Sequence, residues 1–401
     1  MEDEDSAMAE QFLKLPPDII FYHILTKLPI KTLMQFKLVS KLWYSTLSSP
    51  QFALAFVQSS PSFHPSSPIQ YLFMKNGDNH YLYSHDDAVE DEFSTNINKN
   101  IAKLGFDFGV DSDENLVLIG TCNGLVCLAS ESGSFFILWN PIIGKFRKYI
   151  DYDFVIDWSN PNRVSWGFGY VSNVDDYKVI RVTELGATLE IRVHVFSLKS
   201  NKWTRIADQL YQDIFSLQSM SDERFEFCSN GISRWFPYSF HLTRGVLVNE
   251  TLYWIAAKIN SHNVQIVSFD LGHEVFHNYM DLNLDPGHIS EDYCLCVMGG
   301  CLSKYVDYMG GNGAAIHIFK WPGMVETILL DRDRSQDIDI VALSGFTRSG
   351  KFFILVGSAT LGLVDPSSNP VKYIQLATLD RLGNSWIASY VPSLTLPYTT
   401  D

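Results

Sequence analysis

"LWNPIIGKFRKY", residues 138–149, places one aromatic at Trp139, a turn signal at Asn140-Pro141 and Gly144, and a second aromatic at Phe146, seven positions on. The same order returns in "VFSLKSNKWTRI" (195–206), with Phe196 and Trp203, and in "SFDLGHEVFHNY" (268–279), with Phe269 and Phe276. Two looser lines follow: "HIFKWPGMVETIL" around Phe319, and "LVDPSSNPVKYI" around Val364 and Tyr373 with a longer turn. Each line reads as two strands joined by a turn.

A further strand candidate precedes each line. These are "NGLVCLA" from Asn123, "DYKVIRV" from Asp176, "NETLYWIA" from Asn249, "GGCLSKYV" from Gly299 and "GKFFILVG" from Gly350. All five begin at a turn signal and run into β-branched and aromatic residues. The unit is therefore about four strands, and it recurs at intervals of about 45–75 residues, where kelch-type blades have a period of about 50. One blade cannot bury both faces of its sheet, so blades have to stack radially into a ring. The fold class expected is an all-β, propeller-like (kelch-like) domain over residues 69–400. "IQYLFMKNGDNHYLYS" (69–84) supplies a further hairpin, and a strand near "SYVPSLTLP" (389–397) closes the ring.

The third line also contains His273-Glu274-Val275-Phe276-His277, which fits the zinc-protease pattern H-E-x-x-H. That chemistry needs a helix, where residues i and i+4 share a face. Here Gly272 marks a turn between strand candidates. On a strand the two histidines would stand about 13 Å apart at roughly 3.3 Å per residue, too far for one zinc. Other catalytic patterns fail as well. "MGGNGAA" (309–315) lacks the Gly-Lys-Ser/Thr end of a phosphate loop, and no G-x-S-x-G elbow occurs. Asp175-Asp176 reads as turn chemistry.

The residues before the repeats have a helical period. In "LPPDIIFYHILTKLPI" Pro17 suits a first helical position and Asp18 a first turn. Ile20, Ile24 and Leu28 share a face, with Leu25 beside them, and Pro29 ends the helix. "KTLMQFKLV" gives a second helix. "VSKLWYSTLSSP" gives a third, with Val39, Leu42, Trp43 and Leu47 on one stripe and Pro50 as its stop. Three short helices bury too little to stand alone and need a partner. Residues 1–14 read as an acidic flexible N-terminus, 15–56 as the helical unit and 57–68 as a Ser/Pro-rich linker.

The chain has 401 residues, 46% of them hydrophobic, and a net charge of −15. Such a balance disfavours nucleic acid, whose phosphates demand a basic face, and it suits a basic protein partner. "MEDEDSAMAE" is no secretory signal, and no apolar run approaches the roughly 20 residues that span a bilayer. A cytoplasmic or nuclear, reducing location without membrane contact is expected. The six cysteines then read as reduced core thiols, with Cys294 and Cys296 on one face of a strand. No cofactor and no metal are expected.

Residues 15–56 resemble the F-box. The resemblance rests on Leu15-Pro16, Ile24-Leu25, Leu28-Pro29, Lys31-Thr32-Leu33, Phe36-Lys37, Val39-Ser40-Lys41, Trp43-Tyr44 and Ser49-Pro50-x-Phe52. The remainder resembles the plant F-box-associated domain (type 1), on "GTCNGLVCL" (120–128), "LWNPIIGKFRKY", "WGFGYVSNVDDYKVIRV" (166–182), "VHVFSLKSNKWTRI" (193–206), "GVLVNETLYWIA" (245–256), "IVSFDLGHEVF" (266–276) and "SYVPSLTLP". The fourth block departs from the family, since Trp321 is displaced.

The resemblance implies a non-catalytic substrate receptor of an SCF-type ubiquitin ligase. Its F-box would dock on a Skp1-like adaptor, and through it on a cullin/RING complex. Its β domain would bind a target protein for ubiquitination and proteasomal degradation. Two other readings stay open. One is an S-locus F-box-type pollen factor that recognises pistil ribonucleases, which are often basic. The other is an F-box scaffold that acts without degradation. For the adaptor contact the residues named are Leu15, Pro16, Ile20, Ile24, Leu25, Pro29, Leu33, Val39 and Trp43. Leu15 and Pro16 stand outside the helix and can fill a partner's pocket. For the target, "SMSDERFEFCSNGISRWFPYSF" (219–240) offers Arg234, Trp235, Phe236 and Tyr238, residue types that make hot spots.

Overall fold

The computed structural model describes residues 16–59, 71–76, 78–85, 100–111, 114–154, 163–185, 191–207, 225–227, 243–258, 264–282, 291–308, 313–320, 324–331, 340–356, 360–368, 372–378 and 385–398. The β residues form six sheets, which are numbered here as blades 1 to 6. Blade 1 pairs Ser385–Ser389 with Tyr71–Asn76, Asn79–Ser84 and Ile101–Leu104. Blade 2 runs through Leu116–Cys122, Leu125–Ser130, Phe135–Asn140 and Lys145–Ile150. Blade 3 consists of Arg163–Val171, Asp176–Glu184, Ile191–Ser197 and Lys202–Arg205, with Thr243–Arg244 added in parallel at its inner edge.

Blade 4 holds Val246–Val248, Thr251–Lys258, Val264–Asp270 and Val275–Leu282, with Phe225–Phe227 also on Thr251–Lys258. Blade 5 comprises Glu291–Met298, Cys301–Tyr308, Gly313–Lys320 and Met324–Asp331. Blade 6 comprises Ile340–Phe346, Phe352–Val356, Thr360–Asp365 and Lys372–Thr378. The innermost strands of consecutive blades adjoin one another in turn, and that of blade 6 meets Ser385–Ser389 of blade 1. The ring is a six-bladed propeller. Its closing strand lies just before "SYVPSLTLP", and it pairs with Tyr71–Asn76 from Leu72↔Ser389 to Asn76↔Ser385.

The seven-residue aromatic spacing now has a cause. A four-residue turn makes the two aromatics direct cross-strand partners: Trp139↔Phe146, Phe196↔Trp203 and Phe269↔Phe276. Such pairs are the unit of sheet stabilisation. The looser lines obey the same rule, with Phe319↔Val325 and Val364↔Tyr373, so the departed fourth block still forms its hairpin. Each pair faces the preceding blade. Trp139 and Phe146 pack toward blade 1, Phe196 and Trp203 toward blade 2, and Phe269 and Phe276 toward blade 3. Every junction between neighbouring blades holds one hydrophobic cluster of this kind. Strands buried on both faces therefore read as unbroken apolar runs. Leu125–Ser130 and Phe135–Asn140 are buried at every position.

The turns follow the same repeat. In the three aromatic lines the last turn residue is left-handed: Gly144 (φ 63), Asn201 (φ 54) and Glu274 (φ 57). At the turn's entry, Asn140, Ser197 and Asp270 each accept a backbone N–H through a side-chain oxygen. So Leu271–Glu274, the heart of the H-E-x-x-H string, is a hairpin turn and no helix. His273 lies against Asp270 (3.0 Å), while Glu274 pairs with Lys178 of blade 3 (2.8 Å).

The helical unit departs from expectation in its ends. Its first helical stretch has π geometry at Ile19–Ile24 and a 3₁₀ turn at Leu25–Lys27. α-Helices follow at Ile30–Phe36, Lys41–Leu47 and Pro50–Ser59. Pro50 does not stop the third helix; it opens a fourth. Proline suits a first helical position because its missing N–H would be unpaired there anyway, and the Ser49 hydroxyl accepts the Phe52 N–H (3.2 Å). This fourth helix runs to Ser59, past the expected boundary at 56. It packs on the first helical stretch and contributes the buried Phe52, Ala53 and Phe56.

Candidate functional site

The helical unit has an apolar interior and an apolar exterior. Inside are Phe21, Leu25, Ile30, Leu33, Leu47, Phe52, Ala53 and Phe56, all buried. Trp43 is half-buried, edge-on to Phe21 (centroids 5.5 Å) and Phe36 (5.3 Å). Leu25, Leu33 and Trp43 are thus placed in internal packing, and Ile20 borders the same core. Pro16, Ile24, Pro29 and Val39 are exposed, whereas Leu15 lies outside the described residues. The stripe reading put Val39 and Leu42 with Trp43. The helix begins only at Lys41, behind the Ser40 cap, and both residues point to solvent at 62% exposure.

Seven of the eleven exposed large hydrophobics among the described residues belong to this unit: Ile19, Tyr22, Ile24, Leu38, Val39, Leu42 and Tyr44. Soluble surfaces rarely concentrate apolar side chains in this way without a partner. Of these, Ile24 and Val39 are among the residues named from the sequence, and the other five are not.

The unit is joined to the ring. Leu394 is 2% exposed and sits in the helical core, with Ile142 and Ile143 of the blade 2 turn packed against it. The segment carrying Leu394 is itself anchored. Tyr390 Oη donates to Gly124 O (3.1 Å) and Ser393 Oγ to Asn123 O (2.6 Å). Asn140 Nδ2 donates to Ser393 O (3.0 Å) and Thr395 O (2.9 Å). Gly124 has φ +77, and a Cβ there would lie 2.1 Å from Ser393 Oγ, so this close approach requires glycine.

Strand polarity divides the ring into two faces. The turns at Asn123-Gly124 and 141–144, and the start of Tyr71–Asn76, share the face that meets the helical unit. The connections between blades at 105–115, 151–162, 206–242, 283–290, 332–339 and 379–384 leave and return on the opposite face. Blade 4 is unusual there. Phe225–Phe227 occupies the inner edge of Thr251–Lys258 before the chain returns at Thr243–Arg244 beside blade 3. Arg234, Trp235, Phe236 and Tyr238 lie between these two anchors and outside the described residues.

Charged side chains tie blades together. Arg181, 1% exposed, donates to Asp151 (2.5 Å) and to Gly133 O (3.1 Å), with its guanidinium over Phe154 (4.1 Å) and Trp203 (4.7 Å). Lys178 Nζ donates to Glu274 and to Leu271 O, both at 2.8 Å. The thiols of Cys127, Cys294 and Cys296 are buried, and burial pushes all three above the usual thiol value. Cys294 and Cys296 share one cluster face, as their spacing on a strand requires. Among the described residues no group of His, Cys, Asp and Glu could hold a metal ion, and no helix is long and apolar enough to cross a membrane.

The F-box domain family matches residues 12–54, and the F-box associated beta propeller domain family matches residues 79–303. The chain belongs to the F-box proteins with an F-box-associated β-propeller. An F-box/kelch-repeat protein of Arabidopsis thaliana is 25% identical to this F-box protein over 316 residues, covering 75% of this chain and 74% of the relative. The F-box protein CPR1 of the same plant is 26% identical over 320 residues, covering 73% and 68%. Among solved structures, TolB from Acinetobacter baumannii aligns at a TM-score of 0.38 and 10% identity over 87% of this chain and 72% of TolB. The six-bladed assignment rests on the strand pairings rather than on that alignment.

Proposed function

We propose that this F-box protein is the target-recognition subunit of an SCF-type ubiquitin ligase and performs no bond chemistry itself. The observation that carries the reading is the concentration of exposed apolar side chains on an F-box whose own core is already filled. Ile19, Tyr22, Ile24, Leu38, Val39, Leu42 and Tyr44 would enter a groove of a Skp1-like adaptor, with Leu15 and Pro16 at its edge. The adaptor links to a cullin/RING complex that carries the charged enzyme.

The target would bind on the opposite face of the propeller, where the connections between blades open. Arg234, Trp235, Phe236 and Tyr238 belong to the long connection whose two ends open on that face. Holding the target there raises the effective concentration of its lysines near the charged enzyme, which is the receptor's whole contribution to rate. The experiment is co-purification with a Skp1-like adaptor, followed by target capture with a version lacking residues 15–56. Leu15→Ala with Pro16→Ala should lose the adaptor and leave the propeller folded. Full retention in that variant would reject those two residues as contacts.

A further inference from the structure

Arg244 stands where the chain returns from the long connection, on the inner segment Thr243–Arg244. Its Nη2 donates to Ile387 O at 3.2 Å, and its guanidinium lies 5.0 Å from the centroid of the Trp386 ring. Ile387 and Trp386 belong to the innermost strand of blade 1, which blade 2 separates from the blade 3 edge that carries Arg244. The arginine therefore bridges the inner edges of blades 3 and 1, past blade 2. The register places it toward the face opposite the F-box. Thr243 pairs with Ser165 near the start of Arg163–Val171, and Trp386 pairs with Lys75 near the end of Tyr71–Asn76.

The guanidinium is incompletely used. A planar arginine has about five N–H donors, and the bond to Ile387 O takes one of them. Among the described residues no carboxylate meets it, and its electrostatic neighbour is the buried Cys294 thiol of blade 5. Desolvation by the channel wall lowers its affinity for its proton. A cation held this way without an anion is costly. Arg244 is nevertheless only half-buried, so part of its side chain still meets solvent. The Trp386 ring fixes the fork through cation–π contact and leaves its remaining donors free to meet a bidentate acceptor.

We propose that Arg244 and Trp386 form a channel subsite that receives a carboxylate of the bound target, from a chain terminus or from an Asp or Glu side chain. The proposal rests on target binding at this face. The net charge of −15 opposes a free dianion at long range, so a single carboxylate on an otherwise neutral peptide is the favoured ligand.

The test uses the full chain bound to its adaptor and labelled with ¹⁵N-tryptophan, with the Trp386 indole signal assigned through Trp386→Phe. Three short peptides of one neutral sequence are titrated: one with a free terminal carboxylate, one amidated, and one amidated with an internal glutamate. Succinate serves as a free dicarboxylate. The Trp386 signal should move with either carboxylate peptide and stay still with the amide. Arg244→Lys should weaken the response, and Arg244→Gln should weaken it by about tenfold or more, with an unchanged melting temperature in both. No movement with any carboxylate peptide, an undiminished response in Arg244→Gln, or an equal response to succinate would overturn the proposal. Adaptor co-purification, measured in parallel, reports on the receptor reading alone.

Discussion

Asn140 and Ser393 are 253 residues apart in sequence, yet the Asn140 amide donates to the Ser393 carbonyl at 3.0 Å in a buried contact. The same amide also reaches Thr395 O, while its carbonyl oxygen accepts the Ile142 N–H. One side chain thus holds the blade 2 turn, the segment after ring closure and the seat of the F-box together. Asn140→Ala should leave the buried Ser393 carbonyl and the half-buried Thr395 carbonyl unpaired and cost about 1–3 kcal/mol. Chemical denaturation measures that. Limited proteolysis should release the F-box from this variant faster than from the parent.

Gly124→Ala should be worse than a routine turn substitution. The backbone is left-handed, and the added methyl would collide with Ser393. The expected loss exceeds the roughly 1 kcal/mol that left-handed backbone alone costs a non-glycine residue, read as a lower denaturation midpoint.

The Arg181–Asp151 pair bridges blades 3 and 2 in a nearly dry setting. Asp151→Ala should cost about 3–5 kcal/mol by stranding the guanidinium, whereas Arg181→Met with Asp151→Leu should be close to neutral. A double-mutant cycle separates these outcomes.

His80 is 4% exposed among Phe73, Phe108 and Trp139. Burial, helped by the charge of Lys75, pushes its pKa from 6.5 down to about 4. The unfolded chain therefore binds the proton more readily than the folded one between those values. Stability should be full above pH 6.5 and fall as the pH drops toward 4, by about 3 kcal/mol for this group. His80→Phe should flatten that part of the stability–pH profile, as followed by denaturant titrations across the window.

Much of the propeller was legible because its cause is local. Trp139 and Phe146 meet across one hairpin, so a fixed spacing betrays them, and a weak line such as Phe319 and Val325 still pairs. Lys178 and Glu274, 96 residues apart, leave no such trace, nor does Arg244 reaching Ile387. The F-box was legible by its signature, but not which side of each helix faces out. Capping by Ser40 starts the third helix at Lys41, so Val39 and Leu42 stand at the surface while Trp43 and Leu47 turn inward.

The exposed apolar side of the F-box is the proposed adaptor interface. The most direct measurement is the affinity of a purified Skp1-like adaptor for the full chain and for Val39→Glu with Leu42→Glu. Neither residue supports the core, so the melting temperature should be unchanged, while adaptor affinity should fall at least a hundredfold, about 2.7 kcal/mol. Undiminished adaptor binding in that folded variant would contradict the account.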